Sequence, residues 1–187
     1  MFDLDNTLYN ETDYLFAAYA QIAQKAAAGD KDLEEEYRCY LCHTFSTEGR
    51  HLLFQRFISR YQLRVTTDEM LAILRHTTCR LELFPSVAII LSELLKRKKD
   101  VAILTNGNPE QQRQKVSNLG IVSRWPQIRI LYANETEQKP SPKAMLQLIS
   151  EYGVQAGDTV LIGDSDIDKQ TAINAKTDYI ESCYLIN

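Results

Sequence analysis

The chain has 187 residues, 44% of them hydrophobic, enough for one substantial core and a small accessory unit. A net charge of −4 and an isoelectric point near 5.4 leave no basic stripe of the kind that displaces counterions from nucleic acid. No apolar run approaches the roughly 18 residues of a membrane span and no signal-peptide pattern precedes the first strand, so a cytoplasmic protein without nucleic-acid or membrane partners is expected.

Asp3, Asp5 and Thr7 stand at alternate positions where a short apolar strand ends. Side chains at i and i+2 of extended backbone point the same way, so both carboxylates can face one pocket. Their repulsion makes sense where a cation offsets part of the charge and the two acids have different jobs. The triplet alone also fits a strand end followed by capping residues. Only Met1 and Phe2 precede Asp3, short of the about five residues usual for a strand.

From Asn10 to about Thr78 the pattern is helical, with Tyr14, Ala17, Ala18 and Ile22 spaced by three and four, and Leu52, Leu53, Phe57 and Tyr61 similarly. Gly29 and Asp30 break the first helix from the second, 46–49 suggests another break, and Thr66 with Glu69 forms a capped start. With no strand in this stretch, 10–83 is expected to be a helical insert. Cys39, Cys42 and His43 match a haem-attachment spacing, but they fall in a helix predicted over 31–43, where both thiols share a half-buried face and a fourth metal ligand is missing. Free thiols are expected there and at Cys79 and Cys183.

From Phe84 the rhythm changes. Val87, Ile90, Leu91, Leu94 and Leu95 line a helix whose end carries the cations of 96–99, which suits the helix dipole. An apolar strand, 101–104, runs into Thr105, Asn106 and Gly107, a turn offering hydroxyl, amide and backbone N–H donors to an anion. Lys139 then places a cation in a loop before a helix lined by Met145, Leu148, Ile149 and Tyr152. A second apolar strand, 160–162, ends in Gly163 and Asp164, with Asp168 four residues on. This alternation predicts an α/β core with a doubly wound, parallel, Rossmann-like sheet, made of 1–9 and 84–187. In such a sheet the strand ends converge on the carboxyl edge, where ligands bind.

These four segments, in this order and spanning most of the chain, resemble the haloacid dehalogenase superfamily. Its signature is an Asp-x-Asp-x-Thr strand end, a Ser/Thr strand end, a lysine and an acidic Gly-Asp-x-x-x-Asp strand end, here Asp3/Asp5/Thr7, Thr105, Lys139 and Gly163/Asp164/Asp168. The resemblance implies a Mg²⁺-dependent phosphatase that hydrolyses a small phosphorylated metabolite, a nucleotide or sugar phosphate, through an aspartyl-phosphate. Asp3 would be the nucleophile and Asp5 the acid and base, with Thr7 orienting Asp5. Thr105, Asn106 and Lys139 would hold the phosphoryl group. Asp3, Asp5 (through its backbone carbonyl) and Asp164 would bind the metal, with Asp168 just outside them. The insert at 10–83 resembles a four-helix cap, with Tyr9, Tyr14, Arg50 and His51 as pocket-facing candidates. Asp5 favours phosphoester chemistry over dehalogenation or phosphonate cleavage, whose enzymes replace that acid. The alternatives are a sugar phosphomutase or phosphotransferase, and a noncatalytic protein binding phosphate or a partner on the same fold. Ala175 and Lys176 depart from the Ala-Gly common in the family at that turn.

Overall fold

The computed structural model describes residues 1–186. The chain divides into two compact units, one formed by Met1–Glu11 with Arg80 onward and the other by Thr12–Cys79.

The second unit is helical, containing most of α1 (Glu11–Ala27), then α2 (Lys31–Glu48), α3 (Leu53–Tyr61) and α4 (Thr67–His76). Of the predicted periodic faces, Tyr14, Ala18, Ile22, Leu53 and Phe57 are buried, joined in the core by Leu41 and Met70, whereas Leu52, expected on the same face, is 50% exposed. The Tyr14 hydroxyl donates to the Leu74 carbonyl at 2.6 Å, so this tyrosine ties α1 to α4 within the unit. Thr66 and Glu69 form the expected capping box. The break expected at 46–49 comes late, because α2 runs on to Glu48. Ser46 and Thr47 donate to the carbonyls of Cys42 and His43 one turn back, both at 2.9 Å, which satisfies these hydroxyls inside the helix. Gly49, at φ 75°, ends it. None of the four cysteines forms a disulfide. Cys39 is exposed rather than half-buried, and its thiol donates to Glu35 at 3.3 Å. Around Phe57 stand the rings of Tyr37, Tyr61 and Tyr40, with centroids 5.2, 5.5 and 5.7 Å away. Phe57→Ala should therefore destabilise the unit by about 3–5 kcal/mol, measured as a lower urea midpoint; an unchanged midpoint would mean that this cluster is not its core.

The first unit is the α/β core. Strand β1 (Ala102–Thr105) pairs in parallel with β2 (Arg129–Tyr132), and β3 (Val160–Gly163) pairs in parallel with β4 (Asp178–Glu181). Segment 1–3 joins these two pairs. Phe2 bridges in parallel to both Ile103 and Ile162, through Phe2 N–H to Ala102 O, Leu104 N–H to Phe2 O and Asp3 N–H to Ile162 O, each 2.8 Å. The spatial order is β2, β1, segment 1–3, β3, β4. Segment 1–3 thus takes the central place in the sheet, with partners from both flanking strands.

Helices α5 (Pro85–Lys96), α6 (Pro109–Asn118), α7 (Ile121–Arg124), α8 (Lys143–Tyr152), α9 (Asp166–Ala175) and α10 (Cys183–Ile186) complete the unit. Leu104 and Leu161 pack with Ala144, Met145 and Ile149 of α8 and Ala172 and Ala175 of α9. Ile103, of opposite pleat parity to Leu104, is also fully buried, so β1 is covered on both faces, as a parallel sheet requires. None of the described helices is long and apolar enough to cross a membrane.

Candidate active site

Parallel pairing puts the ends of segment 1–3, β1 and β3 on one edge. Asp3 follows the Phe2 bridge, Thr105 ends β1, and Gly163 ends β3 with Asp164 next. Asp168 lies one turn into α9, where it closes a capping box: the Ser165 N–H donates to Asp168 Oδ2 and the Asp168 N–H to Ser165 Oγ, both at 3.3 Å, and Ser165 Oγ also donates to Asp168 Oδ2 at 2.5 Å. Gly163 has to be glycine, because a Cβ there would lie 2.5–2.6 Å from the Asp168 side chain.

Lys139 is 5% exposed. Its ammonium donates to Asp3 Oδ1 and Asp168 Oδ1, both at 2.5 Å, and to the Leu104 carbonyl at 3.1 Å, one acceptor for each of its three protons. Carboxylate oxygens of Asp3, Asp164 and Asp168 all lie within 4.8 Å of one another. Three acids around one ammonium carry an excess of negative charge. Burial raises the Asp3 carboxyl from 3.8 to about 7; Lys139 opposes the shift, and Asp168 and then Asp5 add to it. Burial works against the Lys139 cation, but Asp3 and Asp168 outweigh it and hold the ammonium above its ordinary value. Asp164, the most open of the three acids, is also raised, first by the partial burial of its carboxyl and then by Asp168.

Asp5 lies in a different setting. Its Oδ1 accepts from the Tyr9 hydroxyl at 2.7 Å, its Oδ2 from Gln112 Nε2 at 3.0 Å, and both oxygens from Lys115 Nζ at 2.8 Å.

A family model described as "Haloacid dehalogenase-like hydrolase" matches residues 1–181. The chain belongs to this family. Among curated relatives, N-acylneuraminate-9-phosphatase of Homo sapiens is 32% identical over 103 residues, 54% of this chain and 39% of that protein. The Mus musculus enzyme is 33% identical over 90 residues, 48% of this chain and 36% of that protein. Phosphoserine phosphatase of Thermus thermophilus is 29% identical over 87 residues, 46% of this chain and 34% of that protein. These matches span about two-fifths or less of the relatives' length. Among solved structures, the HAD-hydrolase YfnB from Bacillus subtilis, described as bound to magnesium, superposes with a TM-score of 0.62 at 18% identity, covering 95% of this chain and 85% of that one. A HAD phosphatase from Thermococcus onnurineus gives 0.59 at 22% identity, covering 95% and 82%. The shared fold is the Rossmann-like α/β architecture of haloacid dehalogenase-like hydrolases.

Within this haloacid dehalogenase-like core, the residues singled out in the sequence take different places. Asp3, Asp164, Asp168 and Lys139 come together. Thr105 is buried at the same edge, and its hydroxyl donates to the Asn106 carbonyl at 3.2 Å. Asn106 is a latch on Lys139: its Nδ2 donates to the Lys139 carbonyl at 3.1 Å, and its Oδ1 accepts the Lys139 N–H at 2.8 Å. Thr7, expected to orient Asp5, is buried, but its hydroxyl has no hydrogen-bond partner among the described residues. Asp5 is oriented by Tyr9, Gln112 and Lys115 instead. Gln112 and Lys115 escaped the sequence reading because α6 has few apolar residues to mark its buried face, which consists of Gln112, Lys115 and Val116. Their spacing of three and four was the one available signal.

Proposed function

We propose that the chain is a Mg²⁺-dependent phosphatase that hydrolyses a small-molecule phosphate monoester, a nucleotide or sugar phosphate, through an aspartyl-phosphate. The observation that carries this reading is the separation of the two aspartates: Asp3 lies in the acid cluster on Lys139, and Asp5 lies outside it, on Lys115. Asp3 attacks phosphorus in line and the P–O bond to the alcohol breaks. Asp5 gives a proton to the departing oxygen, then takes one from the water that cleaves the acyl-phosphate. Lys139 offsets charge shared by Asp3 and the phosphoryl group, while Thr105 and the turn after it offer donors to the phosphoryl oxygens. Asn106 acts chiefly by fixing the Lys139 backbone.

The donor set suits Mg²⁺: three carboxylates with oxygens within 4.8 Å of one another are hard ligands, and the excess negative charge favours a divalent cation. Asp3, Asp164 and the Asp5 carbonyl would hold it, with Asp168 alongside. Bound there, the cation would polarise the phosphoryl oxygens and screen the acids. In the relatives named for them, the substrates are N-acylneuraminate 9-phosphate and phosphoserine, which supports a small phosphorylated metabolite. In this reading the helical insert is a cap that selects the organic part of the substrate.

The test is a panel of nucleoside monophosphates, sugar phosphates, N-acylneuraminate 9-phosphate and phosphoserine, assayed for inorganic phosphate with Mg²⁺ and with a chelator. Release that falls at least about 100-fold on chelation is expected. No metal-dependent release from a folded chain would sink the reading, and an isomer formed in place of free phosphate would reassign the chain as a mutase.

A further inference from the structure

We propose that Lys115 is a positioning residue for Asp5, fixing the carboxylate where it exchanges a proton with the leaving oxygen; the inference rests on the phosphatase reading above. Lys115 is 1% exposed. A lysine on a helix ordinarily lays its stem along the surface and keeps its ammonium in water. Burying that charge is costly unless it is paired and hydrogen-bonded. Here the ammonium spans two acids, with Nζ 2.8 Å from both oxygens of Asp5 and 3.2 Å from Glu11 Oε1.

Gln112 sits one turn earlier on the same face of α6 and does two jobs with one amide. Its Nε2 donates to Asp5 Oδ2 at 3.0 Å and to the Asn106 carbonyl at 2.7 Å. The turn after β1 leaves room for it: Gly107 has φ +115°, and a Cβ there would meet Gln112 Nε2 at 2.6 Å. With the Tyr9 hydroxyl on Oδ1, each Asp5 oxygen accepts two hydrogen bonds from these three residues. That is enough to fix both side-chain torsions of the carboxylate form, and when Asp5 carries the proton that it gives to the leaving oxygen, one of these donors gives up its place on the protonated oxygen. The arrangement repeats the one around Asp3, where Lys139 spans Asp3 and Asp168. Each aspartate of the opening pair has its own lysine, and each lysine has a second acid. This keeps two side chains that start on the same face of the backbone at separate stations.

The experiment compares full-length wild type with Lys115→Met, Lys115→Arg, Asp5→Asn and the Asp5→Asn/Lys115→Met double variant, all with Mg²⁺, on p-nitrophenyl phosphate and on an alkyl phosphate. A nitrophenolate leaves without a proton, whereas an alkoxide needs one. Lys115→Met should lower kcat on the alkyl ester about 100-fold and on the aryl ester less than about 5-fold, with KM little changed. Lys115→Arg should recover part of the loss. The double variant should be no slower than Asp5→Asn alone, since Lys115 acts through Asp5. Gln112→Met, which removes the amide shared by Asp5 and the Asn106 carbonyl and no charge, should show the same selectivity about 10-fold weaker, and Lys115→Arg, which keeps a buried cation, decides the matter if Lys115→Met does not fold: equal losses on both esters would overturn the assignment. Equal losses on both esters, or losses that multiply in the double variant, would overturn the assignment. Wild type that releases no phosphate from any ester would instead overturn the phosphatase reading.

Discussion

Asp3→Asn should abolish phosphate release, with a loss of at least about 10³-fold, in a protein that folds as well as wild type or better. The amide is nearly isosteric with the carboxyl and keeps an oxygen to accept from Lys139, but it is not nucleophilic enough to form an acyl-phosphate. Stability gives an independent check on folding. Burial raises the Asp3 carboxyl from 3.8 to about 7, so the folded state prefers the protonated acid. That contribution is complete below about pH 4 and is lost as pH rises through about 7. Asparagine carries no charge at any pH. In chelator, Asp3→Asn should therefore be the more stable protein at pH 8, with the difference shrinking toward pH 4, as read from urea midpoints across that range. Activity within tenfold of wild type would remove Asp3 as the nucleophile. An unchanged pH dependence of stability would show that the Asp3 carboxyl does not titrate as its burial implies.

Lys139→Met should act on stability and activity together. The ammonium serves Asp3, Asp168 and the Leu104 carbonyl, and methionine leaves those buried acceptors unpaired. Breaking a buried pair from one side costs about 3–5 kcal/mol, so the metal-free variant should unfold at clearly lower denaturant. Saturating Mg²⁺ should restore part of that stability, because a divalent cation can offset the same carboxylates. It should not restore turnover, expected to stay at least about 100-fold down, since in the proposed reaction Lys139 also offsets charge that develops on the phosphoryl group. Adding Asp3→Asn should recover some of the lost stability by removing one of the orphaned charges. Equal metal-free stabilities for wild type and Lys139→Met would contradict the hydrogen-bonded network described here.

What could be read from the sequence follows burial. Strands 101–104 and 160–162 are continuous apolar runs because neighbours cover both their faces, and they stand out for that reason. The outer strands do not. In β2, Arg129 is exposed and the apolar run 130–132 only half-buried, and β4 shows mainly exposed residues, so neither has the fully buried run that marks a central strand. The site divides in the same way. Asp3, Thr105, Lys139 and Asp164 occupy strand ends and loop positions, and Asp168 the first turn of the helix after β3, in an order that is legible in the chain. The residues around Asp5 are not, because Lys115 is 110 positions from Asp5 and lies on a helix whose buried side is polar. Asn106 illustrates a finer limit: an amide in a turn rich in donors is the natural candidate for an anion, but here both its polar side-chain atoms contact the Lys139 backbone.

Segment 1–3 also sets the registration of Asp3. Phe2 and Leu4, on either side of Asp3, are 2% and 0% exposed, while Asp3 points the other way, to Lys139. Slippage by one residue would shift the segment about 3.3 Å and exchange its two faces. A buried apolar side chain would then face the ammonium of Lys139, and the Asp3 carboxylate would enter apolar packing. Both changes are penalised at once, so Phe2 and Leu4 act as the detents that hold the Asp3 carboxyl at one height against Thr105 and Asp164.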